Sequence, residues 1–305
     1  MTKVFIDGSA GTTGLRIYER LADRKDLELL ILTGDKRKDN NARREMLALA
    51  DIAFLCLPDA AAIEAVSLIE KSEVAVIDTS TAHRTNDAWA YGFAELSAAH
   101  RAAIQNSKRI ANPGCHASGF IAGCYPLVTH GLVPADFPLT AYSLTGYSGG
   151  GKALIAEYEA ADRDVRHESH RIYGTQLQHK HLPEMQKLCG LTKAPVFSPI
   201  LGDFYAGMAT SILLPGYDAK TVWESIADHY AGQKIVTVAP LGGDESLVYA
   251  STYAGKDTMR IQVSGHEDQA MVTAIFDNLG KGASGAAIQN MNILLGVDET
   301  TGLNV

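Results

Sequence analysis

Cysteine is scarce in this chain. Four stand among 305 residues (Cys56, Cys115, Cys124 and Cys189), far apart and without a CxxC pair. That spacing excludes a disulfide framework and a zinc-knuckle site, and it suits a reducing compartment. Long apolar runs are missing too; none approaches the roughly 18 residues of a membrane span. Met1-Thr2-Lys3 leads at once into Val4-Phe5-Ile6, with no secretory h-region and small-residue cleavage site. A cytoplasmic protein with no membrane partner is therefore expected. Excess positive charge is absent: 27 Lys and Arg face 35 Asp and Glu, a net charge of −8 that argues against nucleic acid as a partner. There is no internal repeat or low-complexity tract. With 46% hydrophobic and 20% charged residues, what remains is a soluble chain with a sizeable core, and its length suggests two domains.

One stretch organises the rest: Asn112-Pro113-Gly114-Cys115-His116, followed by apolar residues at helical spacing, Phe120, Ile121, Cys124 and Leu127. Pro113 and Gly114 mark a turn, so Cys115 is expected in the first turn of a helix. Backbone N–H groups there are unpaired and carry partial positive charge. A thiol so placed drops from about 8.5 to roughly 3.5–7.5 and becomes a nucleophilic thiolate. The plainer alternative is a buried cysteine acting as a small hydrophobe.

Upstream, the chain alternates strands and helices. Val4–Asp7 reads as a buried strand, and Gly8-Ser9-Ala10-Gly11-Thr12-Thr13-Gly14 leads into an amphipathic helix. Strand, glycine-rich turn and helix make a phosphate-binding start, here spaced GxxGxxG. A second strand is expected over Leu29–Thr33, its end meeting the adenosine ribose. Gly34-Asp35-Lys36-Arg37-Lys38 follows: Asp35 suits a free 2′-hydroxyl and NAD, whereas three cations suit a 2′-phosphate and favour NADP. A helix over Asn41–Ala50 and a strand over Ile52–Leu57 come next. A helix over 59–71, with Ile63, Val66 and Ile69 on one face, leads to a strand over Val74–Asp78. This alternation predicts a doubly wound parallel sheet. Beyond the last strand lie Ser80, His83, a loop histidine, and Arg84, whose planar fork suits a phosphate or carboxylate. A helix near 94–105 and a strand over Arg109–Ala111 lead to Asn112.

After Cys115 the pattern changes. Leu139–Thr145 alternates like a half-exposed strand, and Gly146–Lys152, including Ser148 and Gly149, is a second glycine-rich turn before a helix at about 153–162. In His179-Lys180-His181-Leu182-Pro183-Glu184 an extended segment would place His179 and His181 on one face, with Pro183 opening a helix. An imidazole near a thiol can serve as general acid and base. HxH is also a metal-pair spacing, but no third ligand is evident and no metal is expected. Residues 194–280 read as antiparallel strands (Thr210–Leu214, Ile235–Val238, Leu247–Thr252, Met259–Val263) around one helix at about 218–230. A last helix from about 284 carries Asn290, which can reach a nicotinamide amide.

These pieces together resemble the short form of the N-acetyl-gamma-glutamyl-phosphate reductase family, over residues 5–295. The resemblance rests on Asn-Pro-Gly-Cys at 112–115, His-x-His-x-Pro-Glu at 179–184, the GxxGxxG loop, Gly146-Tyr147-Ser148-Gly149, and Lys281–Gly285 with Gln289–Asn292. Three departures stand out. The family's Ala-Asp-Phe-Arg is Thr81-Ala82-His83-Arg84 here, His116 replaces a common Tyr, and the family pattern is lost over 198–208. The resemblance implies a Rossmann-like NADP-binding domain (1–114, with the 282–305 helix packing back on it). It also implies an α+β catalytic and dimerisation domain (115–281) with a largely antiparallel mixed sheet. It implies an acyl phosphate substrate, reduced with NADPH through a thioester on Cys115, with His181 as acid–base. Expected cofactor contacts are Gly8 to Gly14, Thr33, Lys36, Ser80, Ser148, Gly149 and Asn290; expected substrate contacts are Arg84, Asn112, His179 and Glu184. The second domain is expected to self-associate, as a dimer or tetramer. Other readings stay open: a reductase of N-acetyl-aminoadipyl or aspartyl phosphate, a thiol acyltransferase or hydrolase without hydride transfer, and a non-catalytic NADP sensor.

Overall fold

The computed structural model describes residues 1–70, 73–242 and 247–305. Its contacts divide the chain into two units, Met1–Gly114 with Ala283–Leu303, and Cys115–Gly282 with Asn304–Val305.

The first unit runs β1 (Thr2–Asp7), α1 (Thr12–Leu21), β2 (Leu27–Leu30), α2 (Asn40–Leu49), β3 (Ile52–Leu55), α3 (Asp59–Ser67), β4 (Ala75–Asp78), β5 (Ala90–Tyr91), α4 (Ala98–Asn106) and β6 (Arg109–Ala111). The six strands form one sheet in the order β2-β1-β3-β4-β6-β5, with every pairing parallel. Continuous burial along β3 and β4 is what a sheet covered on both faces demands. On one face Val4, Ile6, Phe54 and Ile77 pack with Ile17 and Leu21 of α1 and with Ala287, Ile288 and Met291 of the chain's last helix. On the other, Phe5 and Ala53 meet Leu47 of α2 and Val74. Helix starts are capped as their sequences suggest: Asp39 accepts from the N–H groups of Asn41 and Ala42 before α2, and Ser97 from His100 before α4.

The second unit opens with α5 (Cys115–Thr129) and continues through β7 (Thr140–Gly146), α6 (Gly151–Glu159), β8 (Arg171–Ile172), α7 (Leu182–Leu188), β9 (Val196–Gly202), β10 (Met208–Pro215), α8 (Ala219–His229), β11 (Val236–Val238), β12 (Met259–His266) and β13 (Gln269–Phe276). The last helix, α9 (Gly285–Leu295), belongs to the first unit. The seven strands of the second unit lie in the order β11-β12-β13-β10-β7-β9-β8. The sheet is mixed, because β11 with β12 and β7 with β9 are parallel while the other pairs are antiparallel. Among the described residues no helix is long and apolar enough to cross a membrane.

Helix α5 is buried on nearly every side, from His116 through Cys124. Two glycines let it lie close on the sheet. A Cβ at Gly119 would stand 2.5 Å from Thr210 Oγ1, and one at Gly123 3.0 Å from Ile212 Cδ1.

Several sequence expectations are corrected. Strand β2 ends at Leu30, so Thr33 lies beyond it, before a 3₁₀ turn at Gly34–Lys38. Helix α3 stops at Ser67 and buries Ala62 and Ala65 fully; of the expected stripe, Val66 and Ile69 are partly buried against that core while Ile63 is exposed. Leu247–Thr252 is no strand but irregular chain and turns. The helix after the second glycine turn starts at Gly151 rather than 153.

Gly119→Ala should lower stability by about 1–3 kcal/mol through overpacking, outweighing its helix-propensity gain of about 1 kcal/mol. Urea unfolding of the purified variant checks this.

Candidate active site

In the first unit the glycine-rich loop is built by close approach. Gly8 has φ +87°, and a Cβ there would stand 2.3 Å from the Cys56 carbonyl oxygen. A Cβ at Gly14 would stand 2.4 Å from the Gly8 carbonyl oxygen. The loop closes with the Gly11 N–H donating to the Gly8 carbonyl at 2.9 Å. No side chain caps the start of α1, so its dipole faces the loop with no protein carboxylate or hydroxyl in the cap position. Thr12 Oγ1 is buried there with no hydrogen-bond partner among the described residues. Ser9, Ala10, Leu15, Tyr18, Thr33 and Arg37 line a cleft of about 320 Å³ beside the loop. Of the basic run it is Arg37 that lines this cleft. Lys36, the expected contact, is exposed on the 3₁₀ turn outside that lining.

Beyond β4 the loop is ordered by one carboxylate. Asp78 accepts from the Ser80 N–H at 2.9 Å and the Ser80 hydroxyl at 2.7 Å, and His83 Nδ1 lies 2.6 Å from its Oδ2. His83 stacks on Trp89, with ring centroids 4.0 Å apart, so it is a built part of the loop rather than a plain surface histidine. Arg84 is buried and donates from Nε to the Asn112 carbonyl at 2.9 Å and from Nη2 to the Thr79 carbonyl at 2.9 Å. It braces the turn that precedes Cys115. Asn112 donates to the Ala283 carbonyl at 3.0 Å. Asn290 donates to the Gly92 carbonyl at 2.9 Å and to Asn112 Oδ1 at 3.1 Å. Its own Oδ1 is buried and has no partner among the described residues.

The second unit holds the thiol. Cys115 is the first residue of α5 and is half-buried. Gly282 passes beside it, where a Cβ would stand 3.0 Å from Cys115 Cβ. The next residue, His116, is buried and bonded at both ring nitrogens: Nδ1 lies 2.8 Å from Ser143 Oγ and Nε2 2.6 Å from the Tyr173 hydroxyl. Ser143 in turn lies 2.8 Å from Thr210 Oγ1, its cross-strand partner on β10. His181 and His179 complete the cluster, their rings 5.8 Å and 5.2 Å from that of His116 and 4.8 Å from each other.

The two histidines meet for a different reason than alternation along an extended segment. His181 is helical in conformation (φ −88°, ψ −7°) at the start of α7, and its N–H donates to His179 Nδ1 at 3.2 Å. Glu184 is buried in the first turn of α7. Ser148 is buried and held away from any simple loop role, its hydroxyl accepting from Asn278 at 3.0 Å, while Gly149 beside it is exposed. Among the described residues no group of three or more His, Cys, Asp or Glu side chains is placed to hold a metal ion, the three imidazoles included.

Burial sets the protonation of this cluster. His116 is pushed down to about 3 by burial, then by His179 and Lys180. His179 falls to about 4, by burial and then by Lys180. Tyr173 is pushed well above the ordinary phenol value, by burial and then by the negative charge of Cys115. Sequence reasoning found Cys115, His179 and His181 but missed Tyr173, Ser143 and Thr210. Nothing in their local sequence marks them, since the β7–β10 register and the packing of α5 bring them together.

A glycine loop without room for side chains, a cleft at its edge, and two buried polar atoms of the same unit without partners among the described residues fit a dinucleotide. The fold and site thus define a two-domain nucleotide-dependent dehydrogenase. The family model for the semialdehyde dehydrogenase NAD-binding domain matches residues 3–104, and that for the semialdehyde dehydrogenase dimerisation domain matches 115–278. The chain is 46% identical to N-acetyl-gamma-glutamyl-phosphate reductase of Mesorhizobium japonicum, covering 97% of this chain and 99% of that one. It is 43% identical to N-acetyl-gamma-glutamyl-phosphate reductase 2 of a Nostoc species, over 99% of both. Aspartate semialdehyde dehydrogenase II from Vibrio cholerae shares the fold, with a TM-score of 0.74 at 17% identity over 97% of this chain and 98% of that one. The chain belongs to the semialdehyde dehydrogenase family and, within it, to the N-acetyl-gamma-glutamyl-phosphate reductases.

Histidines whose folded pKa lies below the unfolded value of about 6.5 favour the native state fully above that pH. Their contribution is lost as pH falls toward about 3 for His116 and about 4 for His179, because only the unfolded chain takes up the protons. Melting temperature should therefore drop on acidification below pH about 6.5, and the slope should be shallower in His116→Gln. Thermal melts across that range check both; an unchanged slope would mean His116 is not held neutral.

Proposed function

We propose that the chain reduces N-acetyl-gamma-glutamyl phosphate to the 5-semialdehyde and phosphate with NADPH, by way of a thioester on Cys115. The observation that carries this reading is the thiol at the first position of α5, next in sequence to a buried imidazole whose ring lies 5.8 Å from that of His181. The reductases that share 43–47% identity with the chain supply the substrate.

The Gly8–Gly14 loop and the start of α1 would hold the pyrophosphate. Thr33 and Arg37 would hold the adenosine side, the basic run Lys36 to Lys38 the 2′-phosphate, and Asn290 Oδ1 the nicotinamide amide. Ser80 lines the end of β4, where ligands of parallel sheets sit. When bound, NADPH supplies the hydride that takes the acyl carbon to the aldehyde level. The chain does the rest. The Cys115 thiolate attacks the acyl carbon; the C–S bond forms as the C–O bond to phosphate breaks, and phosphate leaves with the electron pair. First-turn N–H groups of α5 hold the charge on the acyl oxygen, a contribution of roughly 10²–10³ in rate per donor. His181 holds the thiol proton while the sulfur is acylated and returns it when the C–S bond breaks. Arg84, Asn112, His179 and Glu184 are proposed substrate contacts. Arg84 acts mainly by bracing the Asn112 carbonyl.

A second copy of the chain is the proposed partner. One face of the second sheet carries the cross-strand neighbours Tyr142 and Leu144 of β7, Ile200 of β9, Leu213 of β10 and Met271 of β13, all partly or fully exposed. A patch of this kind suits an interface between copies.

Cys115→Ala should abolish NADPH oxidation by the acyl phosphate, and the reverse phosphate-dependent reduction of NADP by the semialdehyde, while NADPH still binds. His181→Ala should lower kcat by about 10²–10⁴ with little change in cofactor affinity. Turnover retained in Cys115→Ala would end the thioester reading. Leu213→Asp should shift the chain from dimer toward monomer in sedimentation; an unchanged mass would place the interface elsewhere.

A further inference from the structure

The proposed reaction uses Cys115 and His181, yet the buried chain of hydrogen bonds behind Cys115 runs through residues with no part in it. Thr210, Ser143, His116 and Tyr173 are linked by contacts of 2.8, 2.8 and 2.6 Å, all within the second unit. Three of these side chains are buried polar groups, and Tyr173 stands at the end of the chain. Each link crosses between elements: β10 to β7, β7 to the first turn of α5, and α5 to the segment after β8. The Tyr173 backbone is itself pinned, its N–H donating to the Pro199 carbonyl on β9 at 3.1 Å.

A neutral imidazole has one N–H and one bare nitrogen. If Thr210 donates to Ser143 and Ser143 donates to His116 Nδ1, then His116 Nε2–H donates to the Tyr173 oxygen. This direction leaves the tyrosine's own proton uncommitted at the end of the chain. The opposite direction would direct that proton back into His116. Cys115 is the residue before His116 in the first turn of α5, and the His116 ring holds the Tyr173 hydroxyl at 2.6 Å, so the hydroxyl sits on the same turn as the thiol; burial first, and then the charge of Cys115, push Tyr173 up.

We propose that His116 is a positioning residue that turns the Tyr173 hydroxyl outward as a hydrogen-bond donor to the Cys115 sulfur, and that Tyr173 stabilises the negative charge there before acylation and again as the C–S bond breaks. No proton needs to transfer along the chain; each hydroxyl and the imidazole keep their own. The role is that of a preorganised donor in a site shielded from water, where such donors are strongest. It rests on the reading of Cys115 as the nucleophile.

The test uses the full-length enzyme and four variants: Tyr173→Phe, His116→Phe, their double variant, and His116→Gln. Tyr173→Phe removes only the hydroxyl and should lower kcat about 10²-fold, with KM for the acyl phosphate and Kd for NADPH changed by less than about threefold. His116→Phe should cost the same, and the double variant no more than either alone, because the two act as one unit. His116→Gln, whose amide can donate to Tyr173, should recover part of the loss. Without substrate, site-resolved alkylation of Cys115 by iodoacetamide reads the thiol directly. Its pH profile should move up by about one unit in Tyr173→Phe, since the thiolate has lost a donor.

Losses that multiply in the double variant, or an alkylation profile that does not move, would overturn the proposal. If His116→Phe fails to fold, as circular dichroism would show, Tyr173→Phe alone decides by kcat and alkylation. Activity retained in Cys115→Ala would instead defeat the nucleophile reading. A dead Cys115→Ala beside an unimpaired Tyr173→Phe would defeat this inference alone.

Discussion

The depth at which α5 sits on its sheet governs the chemistry of the second unit. Gly119 and Gly123 face Thr210 and Ile212 with no space for a methyl group between. With the helix that close, its first turn comes down on the strands, and His116 reaches Ser143 across the gap. A helix held an ångström or two further out would keep Cys115 at its start but would break the contacts behind it. The packing of apolar residues and the placement of the thiol are therefore one constraint, set by two absent side chains.

Burial then determines what the polar groups can be. An imidazole with both nitrogens bonded and no water around it stays neutral, because the charged form would lose its hydration. That describes His116; burial also holds the half-buried His179 low and Tyr173 high. The pocket thus contains several titratable side chains that do not titrate near neutrality. The first unit works by a complementary rule: it leaves Thr12 Oγ1 and Asn290 Oδ1 buried without partners among the described residues, a state that costs free energy until a ligand supplies the missing bonds.

Much of this was legible in the chain itself. The strand, glycine loop and helix at 4–21 announce themselves because backbone approach to a pyrophosphate demands glycine at particular steps, and Gly8 does adopt φ +87°. Pro113-Gly114 before an apolar helical run placed Cys115 at a helix start. Less was readable where tertiary packing overrides local pattern. Of the Ile63, Val66 and Ile69 stripe, Val66 and Ile69 pack partly buried on the core while Ile63 is exposed, because the fully buried positions of α3 are the small residues Ala62 and Ala65. Leu247–Thr252 has strand-like composition but is irregular chain and turns. His83, a bland loop residue in sequence, is clamped between Asp78 and Trp89. The Thr210–Ser143–His116–Tyr173 chain draws on residues up to 94 positions apart, counted from His116 to Thr210, and no local signal connects them.

The placement of α9 also bears on how the protein is made. Ala287, Ile288 and Met291 complete one face of a sheet whose strands all lie before residue 112. During synthesis the part of that face not covered by Ile17 and Leu21 of α1 stays bare until residues 285–295 have left the ribosome, after the strands and helices of the intervening unit. The N-terminal sheet is thus the last to close, and its apolar side is the surface a chaperone would need to shield in the nascent chain.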